Sequence, residues 1–416
     1  MNIRRHLLRA ALASVSGAAL APWATLSVAA APANPNANPN VNPNANPSAN
    51  RFVFVILRGG LDGLTAAPAV GDPAFTEARA TLGVFAAEPL RLDGTFALNP
   101  LLPQLHAMYG RGEAAVLHAV GLPYRERSHF DAQQVLESGG TRPHELATGW
   151  LGRALTSGGG TGGSLRAVAL ETAVPLVLRG PTEVDTWAPS TLPEPGADLV
   201  ARLELLYRHD PPLAQALARA RGLREEPGLA ANVQGMPAGA GGRGATVALA
   251  RKAAEFLQRG SQVAVLEMGG WDSHTNQAAP NGATSNNLRT LDAALDALRE
   301  GLLPSGTWGR TVVLVVTEFG REVSVNGNQG TDHGTGGAAF VLGGAVKGGR
   351  VLTDWPGLAK KDRFEGRDLR ITTDLRAAIR PILSEHLQVP RAALNGLVLP
   401  GSAHVVSLDL LRGGAG

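Results

Sequence analysis

Six short, almost unbroken apolar runs recur along the chain, at residues 52–57, 114–120, 167–170, 263–268, 311–317 and 339–342. Each is too short for an ordinary globular helix and lacks the polar alternation of a half-exposed strand. Each therefore reads as a strand buried on both faces. Helical patterns lie between them. Residues 286–302 set Leu288, Leu291, Leu295, Leu298 and Leu302 at spacings of 3, 4, 3 and 4, one apolar stripe whose Asp292, Asp296 and Arg299 are expected to face water. Residues 199–207, 213–221 and 246–258 are further helix candidates. A last helix is expected from the capping pair Thr373-Asp374 through Leu387, kinked at Pro381 because proline removes a backbone donor. Buried strands separated by helices imply an α/β sandwich with a largely parallel sheet.

The first fifty residues lie outside that pattern. Arg4, Arg5 and Arg9 precede a small-residue apolar stretch and the run Ala29-Ala30-Ala31, the build of a secretory signal over residues 1–31. The string Arg4-Arg5-His6-Leu7-Leu8-Arg9 resembles a twin-arginine signal, which predicts a periplasmic or secreted protein. Residues 32–50 repeat Asn-Pro-Asn-Ala with small variations and build no apolar face, so a disordered linker is expected there. The folded domain is expected over 51–411, with a flexible Gly-, Pro- and Ala-rich insertion near 222–244. No later stretch carries about twenty uninterrupted apolar residues, so no integral membrane span is predicted.

Charge and cysteine content exclude further classes. The 38 basic residues exceed the 35 acidic ones only through the three arginines of the leader, so the body is neutral and has no nucleic-acid footprint. Without cysteine there is no disulfide framework, thiolate metal site or Cys nucleophile. The pattern Gly239-x-Gly241-x-x-Gly244 follows no strand and is not read as a dinucleotide site.

In parallel sheets, ligands gather beyond the carboxyl ends of strands. Chemistry-bearing residues follow four of the runs. Asp272-x-His274 and Asp332-His333 supply carboxylate and imidazole donors for a divalent ion, a mixed set that suits Zn or Mn better than Mg. The bland reading is turn-forming aspartates with histidines capping nearby helices. Ser128 stands just ahead of a helix expected from Asp131, and reads either as a nucleophile or as a plain N-cap. Asp62 reads either as a metal carboxylate or as the Asp-Gly turn closing the first strand. Glu318 and Arg321 read either as an ion pair or as an acid-base group and an oxyanion clamp, and Arg58 and Arg127 are further clamp candidates. His129 and Asp131 stay unassigned between supporting and packing roles. His106 and His118 look like core or helix-face residues, and His404 is an additional ligand candidate.

The strings LRGGLDGL, RSHFDAQ, GWLGR, GGWDSH, TEFGR, GTDHGTGG and FVLGGAVKGG resemble, in order, the secreted bacterial family catalogued as domain-of-unknown-function family 1501 (DUF1501). That family is in turn similar to the alkaline phosphatase and sulfatase superfamily. The resemblance implies a three-layer α/β/α sandwich and one or two divalent ions, Zn or Mn first, with Mg or Ca as alternatives. It also implies that Asp62, Asp332 and His333 hold one ion, Asp272 and His274 the other, and that Ser128 bridges them. The implied activity is hydrolysis of small anionic phosphate or sulfate esters with Ser128 as nucleophile. The alternative is a non-catalytic envelope binding or assembly protein that keeps the fold. A partner from an exported family of unknown function, number 1800, fits that role, because the two are often encoded side by side.

Overall fold

The computed structural model describes residues 49–158, 166–189, 195–225 and 242–413. The proposed signal and nearly all of the Asn-Pro linker lie outside these residues, as does most of the Gly-rich insertion. Strand β1 (Arg51–Leu57) is wholly buried and sits in the middle of a nine-stranded sheet. The short β2 (Leu90–Arg91) and β3 (Ala97–Leu98) form a separate antiparallel pair. The main sheet adds β4 (Ala114–Gly121), β5 (Ala167–Ala169), β6 (Asp185–Thr186), β7 (Val263–Met268), β8 (Thr311–Thr317), β9 (Gly337–Leu342), β10 (Arg350–Leu352) and β11 (Thr373–Asp374). Its order is β10-β4-β9-β8-β1-β7-β5-β6, with β11 also pairing β4. Every pairing is parallel except those of β9 with β4 and β8. The sheet is thus largely parallel, as expected, with one reversed strand.

Two faces of this sheet are covered, because side chains alternate along each strand. Val53, Val55 and Leu57 pack into one core with the helices Pro103–Gly110, Arg243–Gln258 and Ala283–Leu302. Phe52, Phe54 and Ile56 pack into the other with His129–Ser138, Trp150–Ser157 and Arg376–Pro381. The three-layer α/β/α arrangement follows. No helix among the described residues is long and apolar enough to cross a membrane.

Several local expectations change. Asp292 does not face water: it is buried, and its carboxylate accepts Gln104 N at 3.2 Å and Leu105 N at 2.9 Å, at the start of helix Pro103–Gly110. Helix Pro211–Glu225 runs past the expected start of the insertion and the next helix starts at Arg243, while residues 226–241 lie outside the described residues. Thr373-Asp374 is a strand rather than a helix start, although Asp374 still accepts Arg376 N at 2.9 Å. The last helix changes type at Pro381, where its α-helical part ends. The chain continues into a π-helical turn over Ile382–His386, and the Ala377 carbonyl that Pro381 cannot serve accepts Leu408 N at 2.9 Å.

His118 is a core residue, as read. Its Nε2–H donates to Ala67 O at 2.9 Å and its Nδ1 accepts Ala119 N at 2.9 Å, which fixes a neutral ring. His386 is also buried, with Nε2 at 2.9 Å from Arg51 O. Burial pushes both imidazoles down to about 4. The unfolded chain binds these protons near pH 6.5 and the native state does not, so their contribution is complete above about pH 6.5 and is lost between there and pH 4. Each site is expected to remove up to about 3 kcal/mol over that window. Denaturant titrations at pH 7.5 and 4.5 check this, and equal midpoints would refute it.

Candidate metal centre

The site forms where four parallel strands end and the reversed strand begins. After β1, Gly59 adopts φ +119°, and a Cβ there would lie 2.5 Å from Asp272 N, so only glycine lets this backbone pass the β7 loop so closely. After β8, the chain leaves at Gly320 and returns at Gly334, whose N–H bonds Gly320 O at 2.8 Å, while Glu322 N bonds Asp332 O at 2.9 Å. This excursion is a closed loop that brings His333 back to the strand end. It is stitched to the β7 loop by Thr331 N on Ser273 O at 3.1 Å and Asn276 N on Asn328 O at 3.0 Å. Gly330 permits that contact, since a Cβ on it would lie 2.2 Å from the His274 carbonyl carbon. After β4 and a seven-residue connection, helix His129–Ser138 starts two residues earlier than expected and puts His129 at its first position.

His129, Asp272 and His333 each bring one ligand atom within 4.8 Å of the other two. The Nε2 atoms of His129 and His333 are 3.0 Å apart, and Asp272 Oδ1 is 3.5 Å from the first and 3.2 Å from the second. His274 adjoins the same group, its Nε2 3.0 Å from both His333 Nε2 and Asp272 Oδ1. The opposite nitrogen of every ring has its own protein acceptor. Nδ1 of His129 faces Glu318 Oε1 at 2.7 Å, Nδ1 of His274 faces Asp332 Oδ1 at 3.1 Å, and Nδ1 of His333 faces Arg127 O at 3.0 Å. With the protons on Nδ1, three bare lone pairs and a carboxylate oxygen converge, which is repulsive until a cation joins them. Ligands about 2.0–2.1 Å from a tetrahedral ion stand roughly 3.3–3.4 Å apart, and the separations here bracket that value. The residues fit a divalent ion.

Electrostatics tune the supports. Burial alone would push Glu318 up, but hydrogen bonds from His129, Gln133 and Gly59 N hold its carboxyl below the usual range. The bond to Glu318 pushes His129 above the ordinary imidazole value, whereas burial and the neighbouring His129 charge push His333 below it. Burial opposes ionisation of Asp272, and the Arg321 guanidinium at 2.6 Å outweighs it.

The structure distributes the sequence candidates unequally. Asp272, His274 and His333 meet. Asp332 lies behind His274, where Asn326 Nδ2 also donates to it at 3.1 Å, and does not join His333 as a ligand pair. Asp62 is a helix cap: its oxygens accept Leu64 N, Thr65 N, Thr65 Oγ1, Arg79 and Gln277, which leaves it no place in the donor cluster. Among the described residues, the candidate ligand group is His129, Asp272 and His333, with His274 adjoining it. Arg58 is held by Glu267 and Glu137, Arg127 by Asp368 and Glu365, and buried Arg321 by Asp272 and Thr331, so all three candidate clamps are already paired. Glu318 makes no pair with Arg321; its carboxylate meets His129 Nδ1 at 2.7 Å and Thr317 Oγ1 at 3.0 Å. Ser128 occupies the N-cap, but its side chain makes no capping bond. His404 is exposed and outside the cluster. The candidate ligand that the sequence alone does not single out is His129. Its signal is the i, i+4 pair with Gln133, both reaching Glu318 Oε1 from one helix face.

Solved structures share features of this fold. The PsFucS1 sulfatase from Pseudoalteromonas sp. is similar at 12% identity and TM-score 0.41 over 86% of this chain and 71% of that chain. A 2-O GAG sulfatase is similar at 11% identity and TM-score 0.40 over 87% and 73%. The phosphonate monoester hydrolase of Agrobacterium radiobacter is similar at 12% identity and TM-score 0.39 over 82% and 74%. No curated protein matches the sequence. The model of the family described as "Protein of unknown function (DUF1501)" matches residues 107–383, and the chain belongs to that family.

Proposed function

We propose that the protein is an exported, metal-dependent hydrolase of phosphate or sulfate esters. One observation carries this reading: the Nε2 atoms of His129 and His333 and Asp272 Oδ1 converge at 3.0–3.5 Å, His274 Nε2 adjoins the latter two at 3.0 Å, and each ring has an acceptor behind it. His129, Asp272 and His333 would hold the ion, with His274 beside them. A mixed imidazole and carboxylate donor set favours Zn or Mn over Mg or Ca. When bound, the ion supplies Lewis acidity toward ester oxygens. Ser128 supplies the nucleophile: its Oγ forms the bond to phosphorus or sulfur as the ester oxygen leaves, and water then frees the serine. It sits where the amino end of helix His129–Ser138 favours developing negative charge. Phe130 follows in the same turn and is 88% exposed, an apolar surface for the alcohol part of the ester.

A second reading, a non-catalytic envelope protein that binds a partner such as an exported family-1800 protein, draws on the pairing of all three arginines with acids. Metal analysis separates the two. The purified full chain should carry about one equivalent of Zn or Mn. Ser128→Ala should keep that metal and lose turnover of aryl phosphates and aryl sulfates. A metal-free protein whose melting is unchanged by chelator would reject the hydrolase.

A further inference from the structure

A cavity of about 210 Å³ lies between residues 82–87, residues 99–101 and the start of helix Ala283–Leu302. Leu82, Val84, Phe85, Leu101, Ala278 and Leu288 contribute an apolar lining. The two amide side chains in its wall are already engaged. Asn99 Nδ2 donates to Thr65 O at 3.0 Å and its Oδ1 accepts Leu101 N at 3.0 Å. Gln277 Nε2 donates to Asp62 and Thr65, and its Oε1 accepts Thr331 and Ser273. A polar group pushed among them would lose water without gaining a partner, so the body of a ligand here is apolar.

The wall also holds one cation. Arg289 lines the cavity and donates to two neutral oxygens, Asn286 Oδ1 at 3.2 Å and Pro280 O at 2.9 Å, with no carboxylate partner among the described residues. We infer that this cavity binds a small amphipathic anion, an apolar chain whose carboxylate meets the Arg289 guanidinium. A 150 Å³ apolar cavity admits benzene, so this one suits a chain of about eight carbons. The site is independent of the metal-centre reading.

Calorimetric titration of the full chain with octanoate and with octanol tests it. Octanoate should bind, and Arg289→Gln should weaken octanoate by about tenfold while leaving octanol unchanged. Ala278→Phe, which fills the cavity from an exposed position, should abolish binding of both. His333→Ala should leave octanoate binding intact, which distinguishes this cavity from carboxylate binding at the metal centre. No octanoate binding at millimolar concentration, binding lost with His333→Ala, or binding indifferent to Arg289→Gln would each overturn the inference.

Discussion

Replacing His333 with alanine is expected to lower divalent-metal affinity by more than about 100-fold, the largest change any single substitution should make at this centre. His333 Nε2 is the hub of the donor set, 3.0 Å from the Nε2 atoms of both His129 and His274 and 3.2 Å from Asp272 Oδ1. Alanine removes that donor and also releases the Nδ1 contact that ties the loop to Arg127 O. Metal binding to the native state alone stabilises by about 2.7 kcal/mol at a free metal concentration 100 times Kd, so the variant should also lose its chelator-sensitive rise in melting temperature. Glu318→Gln should fall between the two, about 10–100-fold weaker, because it disturbs His129 only from behind. His404→Ala should change nothing. Cobalt titration followed by the visible spectrum of the bound ion reads all four proteins. A His333→Ala protein with the wild-type spectrum and stoichiometry would remove the metal centre from the account.

The strands were legible because continuous apolar runs announce burial on both faces, and all six proposed runs fall in the main sheet. Direction was not legible. The periodicity of residues 339–342 is the same whether β9 runs parallel or antiparallel, and only the closed loop 320–334 decides it. Asp272, His274 and His333 could be found because they follow strand ends. Their grouping could not, since carboxylates choose partners in space: Asp62 is claimed by Arg79, which lies in no recognisable motif, and Asp332 by the far side of the His274 ring. His129 is not legible as a ligand, because a histidine in the first turn of a helix serves packing or support as readily as metal binding. Asp292 misled for a related reason, as the stripe of leucines places it outward but cannot register the helix start it caps.

Arg79→Met should destabilise the fold by about 3–5 kcal/mol, the range for removing one partner of a buried ion pair. Arg79 is inaccessible to solvent, and its Nη2 meets Asp62 Oδ2 while its Nη1 donates to Val323 O at 2.8 Å. Burial pushes the Asp62 carboxyl up, and Arg79 together with bonds from Thr65 and Gln277 holds it below its ordinary value. Methionine fills similar volume but leaves that charge without its counterion. The variant Asp62→Asn combined with Arg79→Met should recover part of the loss, because no unpaired charge then remains. The consequence extends to the metal centre through an unbroken chain. Gln277 Nε2 donates to Asp62 at 2.5 Å, Thr331 Oγ1 donates to Gln277 at 2.7 Å, Arg321 Nε donates to Thr331 at 3.1 Å, and Arg321 Nη1 holds Asp272 at 2.6 Å. A protein that loses stability with an unaltered cobalt spectrum would show that Asp62 and Arg79 support the fold alone, whereas a shifted spectrum in the folded variant would show that this buried pair sets the position of Asp272.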